Sequence, residues 1–177
     1  FLFDWYWYND GPFLNRGLDE GYLKARNNGR LKFALMWANH DWVDLFPARM
    51  AGKRKLLYPG VVTRKTFDMM TDHIVRDYFS HPSCWKIDGK PYFSIYDWQT
   101  FVKGLGGSDP AREALESFRE KTKKAGFPGL HLNVVDWGMK DKGDAAAFGV
   151  DSVTSYVWVH CAGLPKFPVS DYREILG

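Results

Sequence analysis

The chain has 177 residues, 45% hydrophobic and 25% charged, enough for one domain with a sizeable core. Its net charge is only +3 and its basic residues are spread out, which gives no argument for nucleic acid. No apolar run approaches the ~18 residues of a membrane span. Aromatic content is the unusual quantity, at 17%. Tryptophan and tyrosine beside polar groups suit sugar binding, where a ring stacks on a C–H face and carboxylates or amides bind hydroxyls. Cys84 and Cys161 make no metal pattern and allow at most one bridge. The chain opens on Phe1 inside a strand, with no initiator Met, and reads as a fragment of a longer protein.

Phe1 to Tyr8 is a continuous aromatic strand in which Asp4 is the only charge. Asn9-Asp10-Gly11-Pro12 is a turn, and Leu14, Leu18, Tyr22 and Ala25 stripe a helix from about Asn15 to Arg26. In Leu31 to Trp37, Leu31, Phe33, Leu35 and Trp37 alternate with Lys32, Ala34 and Met36. Both sets are mostly apolar, as in a strand buried on both faces. The stretch then turns polar within two residues, at Asn39, His40 and Asp41, framed by Trp37 and Trp42.

A long connection from Val43 to Val62 follows, of a length often used for functional lids. A helix spans about Arg64 to Phe79. Asp88-Gly89 turns a hairpin between Trp85–Ile87 and the strand Pro91–Tyr96. Asp109 as N-cap with Pro110 behind it starts a helix to about Lys124. Leu130–Val135 is a strand, Lys142–Phe148 a short helix and Ser152–Trp158 a strand.

The order β-α-β-α-β-α-β-α-β implies an α/β fold with a parallel sheet and right-handed crossovers. No strand is followed by a phosphate-cradling glycine loop. Strand ends are polar in series: Asn9 and Asp10, then Asn39 to Asp41, then Asp97 and Gln99, then Asp136, then His160. Both features favour a partial (β/α)8 TIM-type barrel of about five βα units, with 1–177 a fragment of one barrel domain, over an open doubly wound sheet.

Glycoside hydrolysis usually takes two carboxyl groups. Glu20, Glu113, Glu116 and Glu120 fall on predicted helices and Glu174 in the tail, so the candidate catalytic residues are Asp41, Asp97 and Asp136. Each has an adjacent Trp: Trp42, Trp98 and Trp137. An indole can raise a carboxyl pKa by desolvation, as a general acid needs, and the alternative is that each Asp caps the next helix or turn. His40 is a candidate base or hydroxyl binder. Tyr6, Tyr8, Asp10, Trp37, Asn39, Trp42, Tyr96, Trp137 and Tyr156 complete the expected substrate-binding rim. His40, Asp41 and His160 lack metal-ligand spacing, so no metal and no cofactor is expected. There is no GxSxG serine elbow.

The segments YWYNDG, WANHDW and HIVRDYFSHPSCWKIDGKPYFSIYD resemble the glycoside hydrolase family 99-like domain, also called the WbsX-like family, over roughly residues 1–97 and more loosely to the end. The resemblance implies a (β/α)8 barrel acting on polysaccharide or glycan chains, and some members carry a glycosyltransferase label. Related endo-mannosidases retain configuration through a Glu pair late in the barrel. This chain departs from the family's W-A-N-E-x-W by placing His40 and Asp41 where Glu is usual, and the late Glu segment has no counterpart. The expected substrate is therefore an oligosaccharide or polysaccharide and the expected activity hydrolysis. A glycosyltransferase or a non-catalytic glycan-binding barrel is the alternative.

Overall fold

The computed structural model describes residues 1–44, 46, 55–136, 146–157, 171 and 173. Its strands are β1 (Leu2–Tyr8), β2 (Gly11–Phe13), β3 (Ala34–Trp37), β4 (Trp42–Val43), β5 (Leu56–Tyr58), β6 (Lys86–Ile87), β7 (Lys90–Ile95), β8 (His131–Val135) and β9 (Ser152–Thr154). Its α-helices are α1 (Arg64–His73), α2 (Trp98–Gly104) and α3 (Ser108–Lys124). Five strands form a parallel run, β1-β3-β7-β8-β9. The short β2 adds antiparallel to β1, β6 adds antiparallel to β7, and β4–β5 is a separate hairpin.

Each main strand lies beside the next one in sequence. Right-handed crossovers that always step the same way put all the helices on one face. The side chains agree. Trp5, Trp7, Phe33, Leu35, Trp37, Phe93, Ile95, Leu132 and Val134 form one core with Phe67, Met70, Ile74 and Phe79, and with Ala111, Leu115 and Phe118 of α3. Thr63 caps α1 through its hydroxyl, which accepts from the Thr66 N–H at 3.3 Å. Beyond His73 the helix widens into a π-helical stretch, Ile74–Phe79. There the Tyr78 hydroxyl donates to Asp19 at 2.8 Å and accepts from the Trp5 indole at 3.4 Å.

The opposite face is of different character. Register aligns Asp4, Met36, Ser94, Asn133 and Ser152 in one row across the sheet. Ser94 and Asn133 are buried, and the Asn133 carboxamide lies 2.8 Å from the Ser94 hydroxyl, 2.8 Å from that of Ser152 and 3.0 Å from that of Thr154. The row is thus satisfied, as buried polar groups must be. This face is also concave. Four inter-strand spacings would hold β1 and β9 ~19 Å apart on a flat sheet. Yet the Tyr156 hydroxyl, just past β9, reaches the Asp4 carboxylate in β1 at 3.3 Å. Among the described residues β1 and β9 do not pair, so the sheet is curved and mainly parallel without closing.

Several predicted elements shift. The helix expected over about Asn15–Arg26 is a six-residue π-helical stretch, Gly17–Tyr22. The second strand starts at Ala34, and Leu31 is exposed. The long connection holds the β4–β5 hairpin, and α2 follows β7 directly, where no helix is predicted. Asp109 and Pro110 lie inside the first turn of α3, which starts at Ser108 with Gly107 as its cap. The final strand ends at Thr154. The predicted hairpin is present: Asp88 (φ +51°) and Gly89 (φ +77°) both take the left-handed conformation of a type I′ turn. Residues 142–145 of the predicted short helix, and Trp158, lie outside the described residues.

Candidate functional site at the carboxyl ends of the strands

The ends of β3 and β7 are joined by Asn39. Its side-chain amide donates to the Asp97 carbonyl at 2.7 Å, and its side-chain oxygen accepts the Asp97 N–H at 2.8 Å. Asn39 is fully buried, so this bidentate link clamps two neighbouring strand ends. Replacing Asn39 by Ala leaves a buried donor and acceptor unmatched and is expected to cost about 1–3 kcal/mol. Chemical denaturation measures this, and an unchanged midpoint would contradict the clamp. Both oxygens of the Asp97 carboxylate are used one turn later. One accepts the Thr100 N–H at 2.9 Å and the other the Thr100 hydroxyl at 2.9 Å, capping α2. Asp41 is exposed, and one oxygen accepts the Gly60 N–H at 2.7 Å. Gly60 is packed so closely on the Asn39–His40 backbone that an added Cβ would lie 2.4 Å from the Asn39 carbonyl oxygen.

His40 sits in the middle of this corner. Its ring lies 6.1 Å from Tyr6, 5.7 Å from Trp42 and 5.5 Å from Tyr96, measured between centroids. Burial pushes its pKa down, and the charges of Asp97, Asp4 and Asp41 partly offset that effect. The buried Nδ1 of His40 has no hydrogen-bond partner among the described residues. Protonating both ring nitrogens would place an N–H there without an acceptor, which favours the neutral ring.

The linkage has a definite sign. The folded-state pKa lies below the unfolded value of about 6.5, so the unfolded chain takes the proton first. Stability is full above that unfolded pKa and falls as pH drops through it toward the folded pKa. Between about pH 7.5 and about pH 5.5 the wild type is expected to lose more thermal stability than His40→Gln. His73 and His81, also lowered by burial, contribute equally to both proteins. Equal losses in the two proteins would contradict the assignment.

Phenols surround the imidazole. Tyr96 is pushed up to about 12, mainly by burial and then by Tyr156 and Asp97. Tyr6 is raised by burial, then by Asp4 and Tyr156. Both stay protonated near neutrality and can donate and accept hydrogen bonds. The Tyr96 and Tyr156 rings meet edge to face at 5.1 Å.

Beside this centre lies an aromatic cleft of about 470 Å³ between the β1–β2 and β4–β5 hairpins. Tyr8, Phe13, Trp42 and Tyr58 wall it, with Asp10 at its edge. The Asp10 carboxylate neighbours the Tyr58 hydroxyl and raises its pKa.

The structure brings together Tyr6, Tyr8, Asp10, His40, Asp41, Trp42, Tyr96, Asp97 and Tyr156 of the expected rim. It does not bring Trp37 there. Trp37 is 1% exposed and packs on the helix side, 5.9 Å from Phe67 and 6.3 Å from Phe101, with its indole donating to the Trp7 carbonyl at 3.0 Å. Its parity is that of Phe33 and Leu35, which a strand apolar on both faces does not reveal. Asn39 reaches the rim but spends its amide on the backbone. Asp136 is exposed, and its N–H extends the ladder to the Thr154 carbonyl at 2.8 Å. Trp137 and His160 lie outside the described residues.

Sequence reasoning passed over Asp4, Phe13 and Tyr58. For Asp4 a signal existed: it is the lone charge of an aromatic strand, in phase with Tyr6 and Tyr8 and out of phase with Trp5 and Trp7.

Fold and rim together define an α/β protein with its candidate site at the carboxyl ends of a mainly parallel sheet. The family model described as glycosyltransferase WbsX matches residues 1–167, and the chain belongs to that WbsX-like family. Membership indicates a glycan-active enzyme with a carbohydrate substrate. Comparison with curated proteins and with solved structures finds no match. Among the described residues no helix is long and apolar enough to cross a membrane.

Proposed function

We propose that this chain is part of a (β/α)8 barrel that hydrolyses glycosidic bonds in polysaccharide or glycan chains at the His40 corner. The observation that carries the reading is the ring of Tyr6, Trp42 and Tyr96 around His40 at the strand ends, beside an aromatic cleft. Asp4 and Asp41 are the two carboxyl groups we assign to acid and base work. Asp97 holds α2 with both oxygens, and Asp136 follows β8 with its N–H bonded to the Thr154 carbonyl. One carboxylic acid would protonate the leaving glycosidic oxygen. The other carboxylate would activate water or attack the anomeric carbon. His40 and the phenols of Tyr6 and Tyr96 would bind hydroxyls.

The family's name supports a second reading, transfer of a sugar from an activated donor to a growing polysaccharide. A third keeps the rim as a glycan-binding surface without turnover. Incubation of the purified full chain with a polysaccharide panel, alone and with nucleotide-linked or lipid-linked sugar donors, separates the three. New reducing ends without donor support the hydrolase. Product formation only with donor establishes the transferase, and tight binding with neither establishes the binding protein.

A further inference from the structure

The aromatic cleft adjoins the ring cluster around His40, and Trp42 belongs to both. Trp42 closes the cleft on one side and faces the corner on the other, 5.8 Å from Tyr6 and 5.7 Å from His40. We propose that the cleft is a second sugar site, which takes one uncharged hexose ring of a chain whose neighbouring unit lies at His40. The proposal rests on the glycan reading above and deepens it. It makes the substrate an oligosaccharide of two units or more, engaged along the chain.

Three observations carry it. The cleft, at about 470 Å³, lies in the size range of small-molecule sites and is large enough for a pyranose ring. Its rings are not stacked on one another. Tyr8 meets Tyr58 at 5.1 Å and 70°, and Phe13 meets Trp42 at 6.0 Å and 87°. Tyr8 is buried behind them, whereas Phe13 is exposed and Trp42 and Tyr58 are half-buried, so these three rings keep surface for a third ring. Among the described residues the only charged side chain lining the cleft is Asp10. A carboxylate accepts hydrogen bonds from sugar hydroxyls and repels a uronate or a phosphorylated sugar. The Asp10–Tyr58 pair therefore selects an uncharged ring and gives its hydroxyls an acceptor.

Calorimetry with the full chain tests this. The probes are mannan, glucan and galactan oligosaccharides of increasing length, with a polygalacturonate oligomer as the charged comparison. Wild type is expected to gain affinity when the unit that reaches the cleft is added. Tyr58→Ala and Phe13→Ala, on different hairpins, should each lose that gain, on the order of tenfold, while binding of the shortest ligand stays unchanged. The charged oligomer should bind more weakly than uncharged ones of equal length. Affinity that is independent of length, or variants equal to wild type on the long ligands, would overturn the cleft proposal and leave the glycan reading standing. A wild type that binds no sugar of any length would overturn both.

Discussion

Asp4→Asn is expected to lower turnover on the order of 10²-fold or more while leaving the thermal midpoint nearly unchanged. Asp4 stands mid-strand on the concave face, exposed, with one oxygen 3.3 Å from the Tyr156 hydroxyl. Asparagine keeps the size and an oxygen able to accept that hydrogen bond. It removes the charge that acts on His40 and the ability to carry a proton. Asp41→Asn should behave alike, because the amide oxygen can still accept the Gly60 N–H and hold the loop. Turnover measured by reducing-end release, with melting followed in parallel, distinguishes chemistry from architecture. If either variant keeps full turnover, that carboxylate is not part of the acid and base pair. If Asp41→Asn instead lowers the melting temperature alone, Asp41 is a loop anchor and nothing more.

Gly60→Ala is expected to damage the site more than the fold. The new methyl group would lie 2.4 Å from the Asn39 oxygen and 2.6 Å from the His40 carbonyl carbon, both backbone atoms that cannot swing aside. The loop after β5 must then back away. It would lose the Gly60–Asp41 hydrogen bond and drag Tyr58 with it. Overpacking of this kind costs about 1–3 kcal/mol, several degrees in melting temperature for a chain of this size. Displacing a reacting group by about 1 Å can cost on the order of 10²-fold in rate. Gly29→Ala is the matched control, because nothing lies within 4 Å of its added Cβ. Equal behaviour of the two glycine variants in melting and in turnover would contradict the tight contact.

Local patterns were the most readable part of the sequence. The Asp-Gly hairpin, the α1 stripe and the alternation of strand and helix all depend on neighbours within a few residues, where propensity and period decide the outcome. Parity was not readable for β3. Its two faces are both apolar, so Trp37 could be placed at the rim when it belongs with Phe33 and Leu35. The uses of the strand-end carboxylates were legible only as alternatives. Capping by Asp97 depends on α2 starting at Trp98, and anchoring by Asp41 depends on Gly60, nineteen residues away. Asp4 was visible as an odd charge in an aromatic strand. Its role follows from curvature, which carries Tyr156 back to it, and curvature is a property of the whole sheet. The cleft lies between two hairpins, of which β4–β5 interrupts a stretch that looks like plain loop.

The location of the site can be tested without knowing the reaction. Heteronuclear NMR of histidine rings and indoles, recorded while an oligosaccharide that binds is titrated in, reports which aromatic groups sense the ligand. The His40 ring and the Trp42 indole are expected to shift first and furthest. Trp5 and His73, stacked at 6.4 Å on the helix side of the sheet, should stay in place. Shifts at Trp5 and His73 with His40 and Trp42 unmoved would place sugar binding on the other face of the sheet and contradict the site described here.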